Sequence, residues 1–243
     1  PMASRLSLFA CALVLVSLVL SIAGLATAEW FKMKNTFTAG ATFSVTQSYS
    51  VIGRATTLLE FTTSGSELHS TVVQDFWMGT SECSGNSIGC AAAAVAYPTQ
   101  SCNDLKENAA HQDDPPTHAQ QQATWKYQTP CIVARLSLAT LVIAVAAGLV
   151  AVVQTARATL GRGSPKVGGV LSFITFLFYL FTLVIWGGGV ISRAPGVDLD
   201  GSAGYSYILV GLGGGLAIVA VVSACIDKDL TPSTRSARLL DTV

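Results

Sequence analysis

VGGVLSFITFLFYLFTLVIWGGGV, residues Val167–Val190, carries no charged side chain and matches the roughly 20 residues a helix needs to cross a bilayer. Three more stretches, Leu6–Ala28, Val133–Val153 and Tyr205–Ile226, share that length and character. Lipid offers no hydrogen-bond partner to an exposed backbone, so apolar runs of this length cross it as helices. The expected architecture is a membrane protein with an all-α bundle of four transmembrane helices. The boundaries read as a first span at 1–28, a large loop at 29–132, spans at 133–155, 167–191 and 204–226, short connections at 156–166 and 192–203, and a tail at 227–243.

Lys and Arg beside span ends are retained on the cytoplasmic side. The connection between spans two and three holds Arg157, Arg162 and Lys166 with no acid, whereas the one between spans three and four sets Arg193 against Asp198 and Asp200. The former is therefore expected inside. An even number of spans then places both termini in the cytoplasm and the large loop outside, in the plasma membrane or another membrane derived from the secretory pathway. The formal net charge of zero gives no case for a nucleic-acid partner.

The first span has a second reading, because Arg5, an apolar run and Ala26-Thr27-Ala28 resemble a cleavable signal peptide. An uncleaved helix is the expectation, since Leu6–Leu25 exceeds the roughly 7–15 residues of a signal core. Four of the six cysteines, Cys83, Cys90, Cys102 and Cys131, fall in the loop, where an oxidising space lets disulfides persist. Three pairings are open; Cys83–Cys90 and Cys102–Cys131 are preferred, the first stapling a short turn and the second tying the loop to the head of span two. Metal binding with His69, His111 and His118 is the competing reading, but no C-x-x-C or H-x-x-x-H spacing occurs. Cys11 lies mid-span as a small hydrophobe. Cys225, where span four meets the cytoplasm, is a candidate for S-palmitoylation or an unmodified thiol.

The loop divides by composition. From Asn35 to Trp77, Thr36-Phe37-Thr38, Thr42-Phe43-Ser44-Val45-Thr46 and Thr57-Leu58-Leu59-Glu60-Phe61-Thr62 alternate apolar and polar residues, with a turn at Ser64-Gly65-Ser66 and a further run from His69 to Trp77. Half-buried antiparallel strands follow from that alternation. Beyond Cys90 an irregular region is expected, with a short helix at Asn103–Ala110 and with Trp125 and Tyr127 at the membrane interface.

Close helix packing in lipid depends on small residues. Gly211 and Gly215 are the expected packing positions of span four, within the bundle or as a homodimer face. Arg135 is the one strongly charged residue inside a span, near its outer end, and no span carries the acid or His chain of an ion pathway. The sequence has no G-x-S-x-G, no H-E-x-x-H and no Gly-rich phosphate loop after a strand. No enzyme activity, cofactor or metal is expected.

Trp30 follows span one; Trp77 precedes the pair Cys83 and Cys90; Arg135 opens span two; Gly204-Tyr205-Ser206-Tyr207 leads into span four. Together these residues resemble the claudin and peripheral-myelin-protein superfamily of four-span proteins. Asp75-Phe76 stands where the family has Gly-Leu, and the spacing from Trp77 to the cysteines also differs. The resemblance implies a claudin-like fold, with an extracellular β-sheet in the large first loop, and makes Trp30, Trp77 and Arg135 structural signature residues. It implies a non-enzymatic role, organising membrane domains or cell contacts through lateral or trans association, with itself or other membrane proteins as partners beside membrane lipids. The alternative is an auxiliary subunit of a channel, transporter or receptor. The closing Asp241-Thr242-Val243 is similar to the tail motif captured by PDZ scaffolds.

Overall fold

The computed structural model describes residues 5–27, 29–38, 42–63, 66–96, 98–110, 124, 127–160, 162–191 and 200–230. His111, His118, Trp125 and the tail residues Asp241, Thr242 and Val243 lie outside them. Four helices are long and apolar enough to cross a membrane, over Leu6–Ala26, Gln128–Thr159, Lys166–Val190 and Tyr205–Ile226, so the chain is a multi-pass membrane protein. It divides into two compact units, the first built from Pro1–Ile22, Leu141–Leu180 and Val210–Val243, the second from Ala23–Thr140 and Phe181–Leu209.

The first unit consists of segments of the four long helices: α1 (Arg5–Ala26), α4 (Ala134–Thr159), α5 (Pro165–Trp186) and α6 (Tyr205–Leu230). Val14, Ala151 and Ala220 form its centre, with Leu13, Val152 and Leu171 against them. Small side chains and hydroxyls set the close approaches. The Ser17 hydroxyl donates to the Gly213 carbonyl at 2.6 Å, and a Cβ on Gly213 would stand 2.7 Å from Ser21 Oγ and 3.0 Å from the Ser17 carbonyl. Gly214 lies against Tyr179, Gly148 sits between Leu18 and Thr175, and a Cβ on Gly168 would come within 2.6 Å of Thr155. Without a hydrophobic drive between helices in lipid, dispersion and such bonds carry the association. Of the two readings for Gly215, packing inside this bundle has no contact to support it, because the residue is exposed and a Cβ there would meet nothing within 4 Å; a homodimer face is compatible with that exposure. At 3.6 residues per turn, the run from Gly211 to Gly215 spreads over more than one face of α6, and Gly213 and Gly214 face the neighbouring helices.

The second unit holds a six-stranded antiparallel sheet in the order β5-β4-β3-β2-β1-β6. Its strands are β1 (Phe31–Thr38), β2 (Thr42–Tyr49), β3 (Arg54–Thr63), β4 (Ser66–Asp75), β5 (Thr80–Gly85) and β6 (Asp200–Ala203). The alternation read between Asn35 and Trp77 is thus a sheet, extended at both ends. Phe31, Met33, Val45, Tyr49, Ala55, Leu59 and Val72 are buried on one face; Lys34, Thr36, Arg54, Thr62, Glu67 and His69 point the other way and are exposed.

Three features differ from the sequence expectation. The connection at 192–203 supplies β6, which pairs with the first half of β1. An unexpected helix, α2 (Ser87–Ala96), precedes the expected short one, here α3 (Cys102–Ala110); Asn86 caps α2 by accepting from the N–H groups of Ile88 and Gly89 through its side chain. The second long helix begins earlier than residue 133, as a π-helical turn over Gln128–Val133. Pro130 is tolerated there because the first turn of a helix has no partner for its N–H groups.

Candidate functional site

Two tryptophans anchor the sheet within the second unit. Trp30 is fully buried. Its indole N–H donates to the Gly24 carbonyl at the end of α1, 2.8 Å away. The ring stands edge-on to Trp186 and Tyr207, with centroids 5.5 and 6.4 Å apart, the arrangement favoured by ring quadrupoles. Its backbone N–H donates to the Tyr49 carbonyl and its carbonyl accepts from Gly204. A Cβ on Gly204 would overlap the Glu29 carbonyl, so this entry to α6 requires glycine. The Tyr207 hydroxyl donates to the Leu183 carbonyl at 3.2 Å.

Trp77 fixes the same end of the sheet at β4, since Phe31, Tyr49, Ala55 and Gln74 pair across one row. Its indole N–H donates to the Pro130 carbonyl at 2.9 Å, and the Arg135 guanidinium lies 5.6 Å from the ring centre, a cation–π contact. Arg135 therefore faces an aromatic ring. The ring also covers Gly53, whose φ is +71° and where any Cβ would fall inside the indole; both facts restrict that turn to glycine. Asp75 organises the turn that carries Trp77, accepting from the N–H groups of Trp77 and Met78 at 3.1 and 3.0 Å and pairing with Arg54 at 3.1 Å. Burial raises the Asp75 pKa, but the Met78 N–H, Arg54 and the Trp77 N–H outweigh it and hold the carboxyl below its ordinary value.

Disulfides Cys83–Cys90 and Cys102–Cys131 complete the frame, the two pairs preferred on sequence. The first joins β5 to α2. The second links the start of α3 to the π-helical turn that also accepts from Trp77. Loop entropy weights them differently: separations of 7 and 29 residues correspond to about 2.4 and 3.6 kcal/mol. Cys225 is a free, exposed thiol and Cys11 a free, half-buried one.

Held this way, the sheet presents a surface toward its hairpin ends. Phe43 pairs with Phe61, and Phe61 with Leu68, forming one row across β2, β3 and β4. They share a face with Val45 and Leu59, which are 8 % and 7 % exposed, yet the row itself is 36 %, 39 % and 38 % exposed. Where the buried face ends, apolar side chains continue. On the opposite face His69 stands 3.9 Å from Glu60 and 3.6 Å from Glu67, both exposed to solvent-side screening. Among the described residues no group of three His, Cys, Asp or Glu is placed to hold a metal ion.

The sequence reading singled out Trp30, Trp77, Arg135 and the cysteines but not the row of Phe43, Phe61 and Leu68. A signal existed: Ser64-Gly65-Ser66 reads as a turn in the sequence, and the register that pairs Thr63 with Ser66 also sets Phe61 opposite Leu68. No protein-family model and no curated protein sequence matches this chain.

Proposed function

We propose that the protein is a non-enzymatic, claudin-like membrane protein that organises membrane domains or cell contacts through association of its sheet, in the same membrane or across an apposed one. The observation that carries this reading is the exposed row Phe43, Phe61 and Leu68 at the hairpin end of a disulfide-braced sheet. Contiguous exposed apolar side chains beside a buried face mark association surfaces, and each offers roughly 1 kcal/mol if its remaining area is covered. The orientation consistent with it places both termini in the cytoplasm and the sheet outside, in the plasma membrane or another secretory-pathway membrane. Two features support that: Arg157, Arg162 and Lys166 cluster without an acid in one connection, and paired cysteines belong to oxidising compartments.

A second reading, an auxiliary subunit of a channel, transporter or receptor, is favoured by α2. That helix lies outside the spans yet leaves Ile88 74 % and Val95 85 % exposed, a second apolar patch suited to a different protein.

Phe61→Asp in the full-length protein discriminates. It places a charge in the centre of the row, facing solvent in the monomer but unpaired in any contact. Self-association in mild detergent, followed by light scattering and cross-linking, is expected to weaken at least about tenfold, ~1.4 kcal/mol, with the melting temperature nearly unchanged. Unaltered association would reject the row as the contact. A stoichiometric larger membrane protein co-purifying with wild type, and lost on Ile88→Asp, would favour the second reading.

A further inference from the structure

A groove of about 360 Å³ lies between α5 and α6 in the first unit. Gly169, Val170 and Phe173 line it from α5, and Val221, Ala224 and Cys225 from α6; Lys166 stands at its rim. Small residues shape it: a Cβ on Gly169 would reach the Ala224 methyl at 3.5 Å, so the helices touch at its floor and part above. The surroundings are lipid-facing in character, with Val167, Val170, Phe173, Val222 and Ile226 between 44 % and 60 % exposed.

The rim differs from this apolar floor. Lys166 occupies the first turn of α5, where unpaired backbone N–H groups add positive potential. Arg157 and Arg162, both exposed, belong to the same connection, which contains no acid. The end of α6 adds Asp227, Lys228 and Asp229, one net negative charge, so the positive surplus belongs to the α4–α5 connection.

We infer that the groove holds one acyl chain of an anionic phospholipid whose phosphate is bound by Lys166. The apolar floor excludes a free phosphate ion as a sufficient ligand, and the cationic rim distinguishes an anionic lipid from the zwitterionic lipids that fill any gap between helices. Basic pockets at the ends of membrane helices take such headgroups. This inference does not depend on what the sheet contacts.

Native mass spectrometry of the full chain, released from nanodiscs of phosphatidylcholine with phosphatidylglycerol, tests it. Wild type is expected to retain phosphatidylglycerol in preference to phosphatidylcholine. Lys166→Gln should reduce that preference about fivefold, ~1 kcal/mol, and Lys166→Arg should preserve it. Ala224→Trp, which fills the groove while leaving the rim, should also reduce retention of the lipid. Equal retention of both lipids by wild type, or an unaltered preference in Lys166→Gln and in Ala224→Trp at preserved melting temperature, would overturn the inference. So would a hydroxylamine-labile acyl mass on Cys225 that displaces the lipid, since the groove would then serve the protein's own acyl group.

Discussion

Asp75 illustrates what one side chain controls. It is 8 % exposed and its two oxygens accept from Trp77, Met78 and Arg54, which is why the indole of Trp77 reaches Pro130 and Gly53. Its pKa is depressed in the folded state, so its stabilisation is fully present above the ordinary 3.8 and is lost as pH falls through the lower folded value. Asp75→Asn is therefore expected to cost about 1–2 kcal/mol near neutral pH, with the gap in melting temperature to wild type narrowing as pH falls below 3.8. A gap independent of pH would show that shape rather than charge matters at this turn. The resemblance marked Trp77 as structural, but its partners, and the role of Asp75, could not be read from the sequence. The covering of Gly53 by an indole more than twenty residues away in sequence is a contact that no local pattern encodes.

At the scale of elements, the long helices and strands follow directly from hydrophobic pattern, while the surfaces they use do not. Span four offers four closely spaced glycines, Gly211, Gly213, Gly214 and Gly215, and spacing alone cannot choose among them. The structure places Gly213 against Ser17 and Ser21 and leaves Gly215 open. Gly213→Val should therefore lower stability in detergent by about 1–3 kcal/mol through overpacking, measured as the denaturant or thermal midpoint. Gly215→Val should be close to neutral. Equal losses at both positions would mean that helix propensity, not contact, governs this segment. The sheet gains β6 for a comparable reason: Asp200-Gly201-Ser202-Ala203 has no strand-forming composition, and pairs because the Glu29 and Trp30 carbonyls accept from Ser206 and Gly204 and deliver it to the edge of β1.

The whole molecule is a four-span membrane chain with a braced sheet, and its orientation is the next quantity to measure. In a Cys11→Ser, Cys225→Ser background, Lys34→Cys samples the exposed face of the sheet and Ser164→Cys the exposed connection between α4 and α5. The proposed orientation expects a membrane-impermeant maleimide to label Lys34→Cys on intact cells and Ser164→Cys only after permeabilisation. The reverse pattern would invert the protein and with it the proposed role of the sheet.

By itself the sequence determined the four spans, because hydrocarbon offers an exposed backbone no partner and long apolar runs satisfy theirs as helices, and the presence of strands, because alternation with period two leaves one face to bury. It also favoured the cysteine pairs, since short separations and redox compartment limit the choices. Tertiary structure alone decided which glycines meet a neighbouring helix, that Arg135 lies over Trp77, that residues 200–203 add a strand, and that Phe43, Phe61 and Leu68 form one exposed row. These depend on which distant backbones come together. That is set by the summed packing of the chain, where contacts far apart in sequence compete on a scale of about 1 kcal/mol each.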